Sequence, residues 1–140
     1  MWIEIVLFLL LGVCAVSDGI KKEIPLAPVW AGILFAVLLH AAGVFGEEKW
    51  PAVVLSVLPG AAFWLISLLT AEKVGYGDGW ILVMIGLFTG LRRCFLILLV
   101  GLMAESAVVL ILLAVRKIST DREVPFVPFL LMGMGVVMWL

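Results

Sequence analysis

The chain has 140 residues, 66% of them hydrophobic and 14% charged, with a mean hydropathy of +1.33. A soluble domain carries charge at about a quarter of its positions, so the composition excludes an ordinary water-exposed globule and makes lipid the main solvent. A net charge of −1 argues against a nucleic-acid partner, because phosphate binding needs a clustered basic surface.

The length fits one domain over 1–140. Short polar breaks divide it into six apolar segments: Trp2–Ser17, Pro28–Val44, Ala52–Ala71, Val74–Leu91, Cys94–Val115 and Val124–Leu140. The first lacks a basic leading stretch and a small-residue cleavage site, which makes it a retained membrane helix rather than a signal peptide. Crossing about 30 Å of hydrocarbon takes about 20 helical residues. The third and fifth segments meet that length. The first reaches it only by running past Asp18, and the fourth only by starting before Asp78. The expected architecture is all-α and polytopic, with six transmembrane helices and both aspartates about one turn inside the membrane, at equal depth.

Basic residues set the expected orientation. Lys21 and Lys22 follow the first segment, Lys73 the third, and Arg116, Lys117 and Arg122 the fifth, whereas the second break, Gly46-Glu47-Glu48-Lys49, is net acidic. The odd loops are then cytoplasmic, both termini lie outside, and both aspartates sit on the cytoplasmic side of a multi-pass cell-membrane protein. Arg92 and Arg93 run against this scheme and would have to snorkel to the far headgroups. Glu4 and His40 are expected at the outer interface. Small residues allow close helix approach in lipid, and Gly12, Gly32, Gly60, Ala61, Ala62, Gly86, Gly90, Gly101, Ala104, Gly133 and Gly135 are placed for it.

Cys14 and Cys94 form no C-x-x-C pair, and His40 is the single histidine, so no zinc site is expected and both cysteines read as packing residues. The chemistry falls to the carboxylates. An ionisable group at a membrane helix points to function. Two carboxylates in a low-dielectric site cannot both ionise easily, so one keeps its proton and the pair titrates as a unit. Such a pair can activate water with its charged member and polarise a carbonyl with its protonated one. Around Asp78, glycines at 75, 77 and 79 remove side chains where a substrate backbone would approach. On spacing, the competing reading is that Asp18 and Asp78 each cap a helix end. Glu105, near the middle of the fifth segment, reads as structural: protonated, or hydrogen-bonded to a neighbouring helix.

Three motifs carry a family resemblance. Gly75-Tyr76-Gly77-Asp78 matches the G-x-G-D motif of intramembrane aspartic proteases. Asp18-Gly19-Ile20-Lys21-Lys22-Glu23-Ile24-Pro25 resembles the first motif of the type IV prepilin peptidases, and Glu123-Val124-Pro125-Phe126-Val127-Pro128-Phe129-Leu130 is similar to their proline-phenylalanine motif. The resemblance implies a membrane endopeptidase that removes the short basic leader of prepilins or pilin-like proteins at the cytoplasmic face. It implies Asp18 and Asp78 as the catalytic pair, no metal or organic cofactor, and a prepilin or pseudopilin helix in the bilayer as the partner. Gly75, Gly77, Pro25, Pro125 and Pro128 would shape the site or contact the substrate. The paired C-x-x-C motifs of larger relatives are missing, which implies peptidase activity without methyl transfer. Leu26 replaces an Asn that often follows Ile-Pro, and Trp80 replaces a Lys common two places after the motif Asp.

Other functions fit parts of the pattern. A transporter or channel subunit could bind a cation or relay protons with the two acids, although they lie near one face rather than at the midplane. A non-enzymatic assembly protein could retain the fold without needing paired aspartates. Proteases of the signal-peptide-peptidase or presenilin kind share G-x-G-D, but their Tyr-Asp and Pro-Ala-Leu partners are not found here.

Overall fold

Helices form nearly everything in the structure, a computed structural model that describes residues 2–21, 26–46, 49–69, 76–115 and 126–139. In chain order they are α1 (Trp2–Lys21), α2 (Leu26–Ala41), α3 (Trp50–Leu55), α4 (Leu58–Leu69), α5 (Tyr76–Thr89), α6 (Leu91–Ala114) and α7 (Val127–Trp139). The described parts of all six expected apolar segments are largely helical. Three stretches, Trp2–Ile20, Trp50–Leu69 and Leu91–Ala114, are long and apolar enough to cross a membrane, and the other three are shorter apolar helices.

The third segment is two helices rather than one, broken at Ser56–Val57. Pro59 explains the break, because its ring has no N–H and collides with the carbonyl four residues back, at Leu55. Ser56 turns its hydroxyl onto the carbonyl of Val53.

Helix α5 is the centre of the bundle. Residues 81–88 are buried without exception, enclosed by α1, α2, α4 and α6. A helix that is apolar and buried on every side belongs to an interior. The outer helices do the opposite: Ile20 is 76% exposed and Leu69 77%. In water that surface would cost about 25 cal/mol per Å²; in lipid it costs nothing. The chain is a multi-pass membrane protein.

Packing partners fix the helix directions. Trp30, Gly32 and Phe35 of α2 meet Trp80, Met84 and Phe88 of α5 in the same order, so these helices run parallel. Gly60 and Ser56 meet Gly79 and Gly86 in reverse order, so the third segment runs antiparallel to α5. The start of α5 therefore shares an end of the bundle with the start of α2, and so with the last turn of α1.

Glycine makes the closest approaches. A Cβ on Gly60 would stand 2.6 Å from the Gly79 carbonyl and 2.9 Å from the Val83 nitrogen, and one on Gly86 would run into the Ser56 backbone. Gly101 and Gly133 bring α6 and α7 together in the same way. Gly12 and Gly135, expected at interfaces, have open space where a side chain would go. Gly90 also has open space where a side chain would go; it turns α5 into α6 in one residue at φ 85°, a conformation that side chains resist.

Arg93, one of the two cations that run against the expected charge pattern, is paired. Its guanidinium lies 2.9 Å from Glu4 on α1, so one of the two cations at this end has a partner from another helix. Both side chains are partly exposed, and pairs of that kind are worth about 0–1 kcal/mol. A double-mutant cycle with Glu4→Gln and Arg93→Gln, read by thermal unfolding in detergent, should give a coupling below about 1 kcal/mol. His40 is tied in at the same end. Its Nε2–H donates to the Leu87 carbonyl at 2.7 Å, and its ring stacks on Phe45. That bond satisfies one of the carbonyls left open at the end of α5. Cys14 and Cys94 are buried and unbridged, as expected of packing residues.

Candidate active site

Asp18 occupies the last turn of α1 and is 7% exposed. A buried carboxylate needs donors, and the fold supplies one from 109 residues away. The backbone N–H of Val127 donates to Asp18 Oδ2 at 3.1 Å. Local chemistry at the start of α7 makes that donor available. The Phe126 carbonyl accepts from both Phe129 and Leu130, which makes Phe126 the cap, Val127 the first helical residue and Pro128 the second. The N–H groups of a first turn have no partner inside the helix, and the positive end of the helix dipole favours an anion there. Pro128 is tolerated at that position because its missing N–H would have had no partner. Asp18 thus caps α7 from another helix, a bond to a charged group worth about 1.5–3 kcal/mol.

Asp78 lies in the first turn of α5, partly buried. Its end of the bundle is the Asp18 end, as the parallel course of α2 and α5 requires. The aromatic side chains here are dense. Trp80 packs against Trp30 of α2 at 4.4 Å and against Trp64 of α4 at 4.3 Å, and Phe63 stacks on Phe126 at 5.9 Å. Aromatic pairs of this kind add about 0.5–1.5 kcal/mol each beyond the area they bury. They lock the starts of α5 and α7 to α4. The position where the resemblance leads one to expect Lys is thus used by Trp80 to join three helices.

The structure treats the remaining expected site residues unequally. Gly77 sits in the first turn of α5 and Pro128 in the first turn of α7. Pro25, Gly75 and Pro125 lie outside the described residues, as do Lys22, Lys73 and the basic residues at 116–122. Gly79, read from the sequence as making room for substrate, does something else. The indole of Trp64 fills the space beside it, and a Cβ there would collide with that ring. Gly79 is a packing residue because α4 crosses α5 at that point.

Two features escaped sequence reasoning. One is the Val127 N–H, a backbone group with no signature of its own; the Pro-rich stretch before α7 was its only trace. The other is Ser67 of α4, 1% exposed, whose hydroxyl finds no hydrogen-bond partner among the described residues. It lies one turn beyond Phe63 and Trp64, at the acid end. At the opposite end, a cleft of about 490 Å³ is lined by residues that include His40, Ser56, Thr89 and Arg93, with no carboxylate among the described residues that line it. Among the described residues no group of three His, Cys, Asp or Glu is placed to hold a metal.

Comparison with known proteins gives a consistent result. Residues 5–111 match the type IV leader peptidase family. A prepilin leader peptidase/N-methyltransferase of Stutzerimonas stutzeri is 27% identical over 116 residues, covering 79% of this chain and 39% of that protein. Its counterpart from Pseudomonas putida is 30% identical over 127 residues, covering 87% of this chain and 44% of that protein. The chain thus spans about two-fifths of the length of these relatives. No solved structure matches.

Proposed function

The chain belongs to the type IV leader peptidase family, and we propose that it is an aspartic endopeptidase of prepilins or pilin-like proteins, with Asp18 and Asp78 as its catalytic pair. The observation that carries this reading is the shared end of the bundle: Asp18 in the last turn of α1 and Asp78 in the first turn of α5. In the proposed reaction the charged aspartate takes a proton from water, which attacks the scissile carbonyl. The protonated aspartate donates to the carbonyl oxygen. Collapse of the tetrahedral intermediate returns the proton to the leaving amine, and no covalent enzyme intermediate forms. Gly77 leaves room beside Asp78 for an extended substrate backbone.

The substrate is a short basic leader joined to an apolar helical stem. The stem enters the bilayer beside a bundle whose outer surface is already apolar, and the leader stays in water. The basic loops support a cytoplasmic position for the acid end, with both termini outside.

Co-expression with a prepilin-like protein tests the proposal. Mass spectrometry should find the leader removed by a single cut at its junction with the apolar stem. An uncut substrate beside folded, inserted protein would defeat the reading.

A further inference from the structure

The cleft of about 490 Å³ at the end away from the acids lies between the end of α2, α3 and the turn at Gly90. Its size falls in the range of about 300–1,000 Å³ usual for small-molecule sites. Phe45, Leu55 and Leu91 line it with apolar surface, and His40, Ser56, Thr89 and Arg93 bring polar side chains. Most of that polarity is already spent. The His40 Nε2–H donates to the Leu87 carbonyl, the Ser56 hydroxyl to Val53 and the Thr89 hydroxyl to Ile85. Arg93 differs. A guanidinium has five N–H donors, and this one meets Glu4 through Nη1 alone. The side-chain donor left to the cleft is therefore a cation, and a charged donor binds an anion most strongly.

The surrounding charge points the same way. Arg92 and Arg93 stand in the first turn of α6, where the helix dipole is positive and a cation is disfavoured. Glu4 pairs with Arg93, and Arg92 has no ion-pair partner among the described residues. Lys49 adds a positive charge just before α3, while Glu47 and Glu48 lie outside the described residues. Positive charge at the rim of an apolar bundle stands at the level of the lipid headgroups, where phosphate is the abundant anion. We propose that this cleft binds an anionic phospholipid, with its phosphate on the Arg93 guanidinium and its upper acyl chain against Phe45, Leu55 and Leu91. A free phosphate would meet the same guanidinium but leave those apolar walls uncovered. The cleft and the two acids occupy opposite ends of the bundle, so the inference does not rest on the peptidase reading.

The test is thermal unfolding of the purified chain in a neutral detergent, titrated with phosphatidylglycerol, phosphatidylcholine or inorganic phosphate. A ligand that binds only the folded state raises the unfolding temperature. Phosphatidylglycerol should raise it by about 5 °C at saturation, and the other two by much less. Arg93→Gln should lose most of that shift. Glu4→Gln breaks the same ion pair but leaves the guanidinium free for phosphate, so it should keep the shift or enlarge it. Ala52→Phe fills the cleft with Arg93 in place and should lose the shift as well. Equal shifts with the two lipids overturn the inference, as does a phosphatidylglycerol shift that survives in folded Arg93→Gln or Ala52→Phe. Equal losses in Glu4→Gln and Arg93→Gln would trace the effect to the ion pair and overturn it too. A shift of the same size with inorganic phosphate would overturn the lipid as the occupant.

Discussion

Asp18→Asn and Asp78→Asn should each slow leader removal about 10²–10⁴-fold, while the protein still inserts and folds. The substitutions keep size and shape and change acid–base capacity. An asparagine at either position can neither take a proton from water nor give one to the carbonyl. The fold should survive the change at Asp18, since an amide side-chain oxygen still accepts from the Val127 N–H. Losing the charge there forgoes the charge-assisted part of that bond and the dipole contribution, about 0.3–2 kcal/mol. The unfolding temperature should fall by a few degrees at most. Time courses by mass spectrometry measure the rate, and thermal unfolding in detergent measures the fold. Near-normal turnover in either variant would remove that aspartate from the catalytic pair.

The second large effect is structural. Gly86→Leu should destabilise the bundle by about 1–3 kcal/mol or more, because its first side-chain atom meets the Ser56 backbone rather than a movable side chain. Gly60→Leu should behave alike, pressing on the Gly79 carbonyl and the Val83 nitrogen. Both force α4 away from α5 and disturb the Trp64–Trp80 contact beside Asp78. Activity should fall with stability. Gly12→Leu is the matched control, since nothing lies within 4 Å of its Cβ position. It adds the same side chain to a membrane helix and should leave the unfolding temperature near wild type. A Gly86→Leu protein that unfolds at the wild-type temperature would show that the α4–α5 contact is looser than described.

The contrast between Gly86 and Gly12 also shows where sequence reasoning stops. Both are glycines in apolar segments, and both qualify as small interface residues. One meets a carbonyl and the other meets open space, because helix rotation is decided by neighbours that a local pattern does not name. Pro59 is a different case. Its disruption of the third segment was readable from the residue itself, since a missing N–H and a clash four residues back are local facts. The Arg93–Glu4 pair lies between these two. The cations were conspicuous as an exception to the charge pattern, but their partner is 89 residues away.

Hydropathy was enough to establish a helical membrane protein, its six apolar segments and an acid at the polar limit of two of them. Those properties follow from side-chain transfer energies and helix rise, which depend on each segment's own residues. That Asp18 and Asp78 share one end also follows, since segment lengths and alternation set it. Tertiary structure decided what surrounds them. It made α5 the enclosed helix, although its composition barely differs from that of the lipid-facing ones. It turned the first N–H of α7 onto Asp18 and filled the space at Gly79 with Trp64. Each of these is a contact between residues far apart in the chain, settled by how whole helices pack, and no local periodicity encodes it.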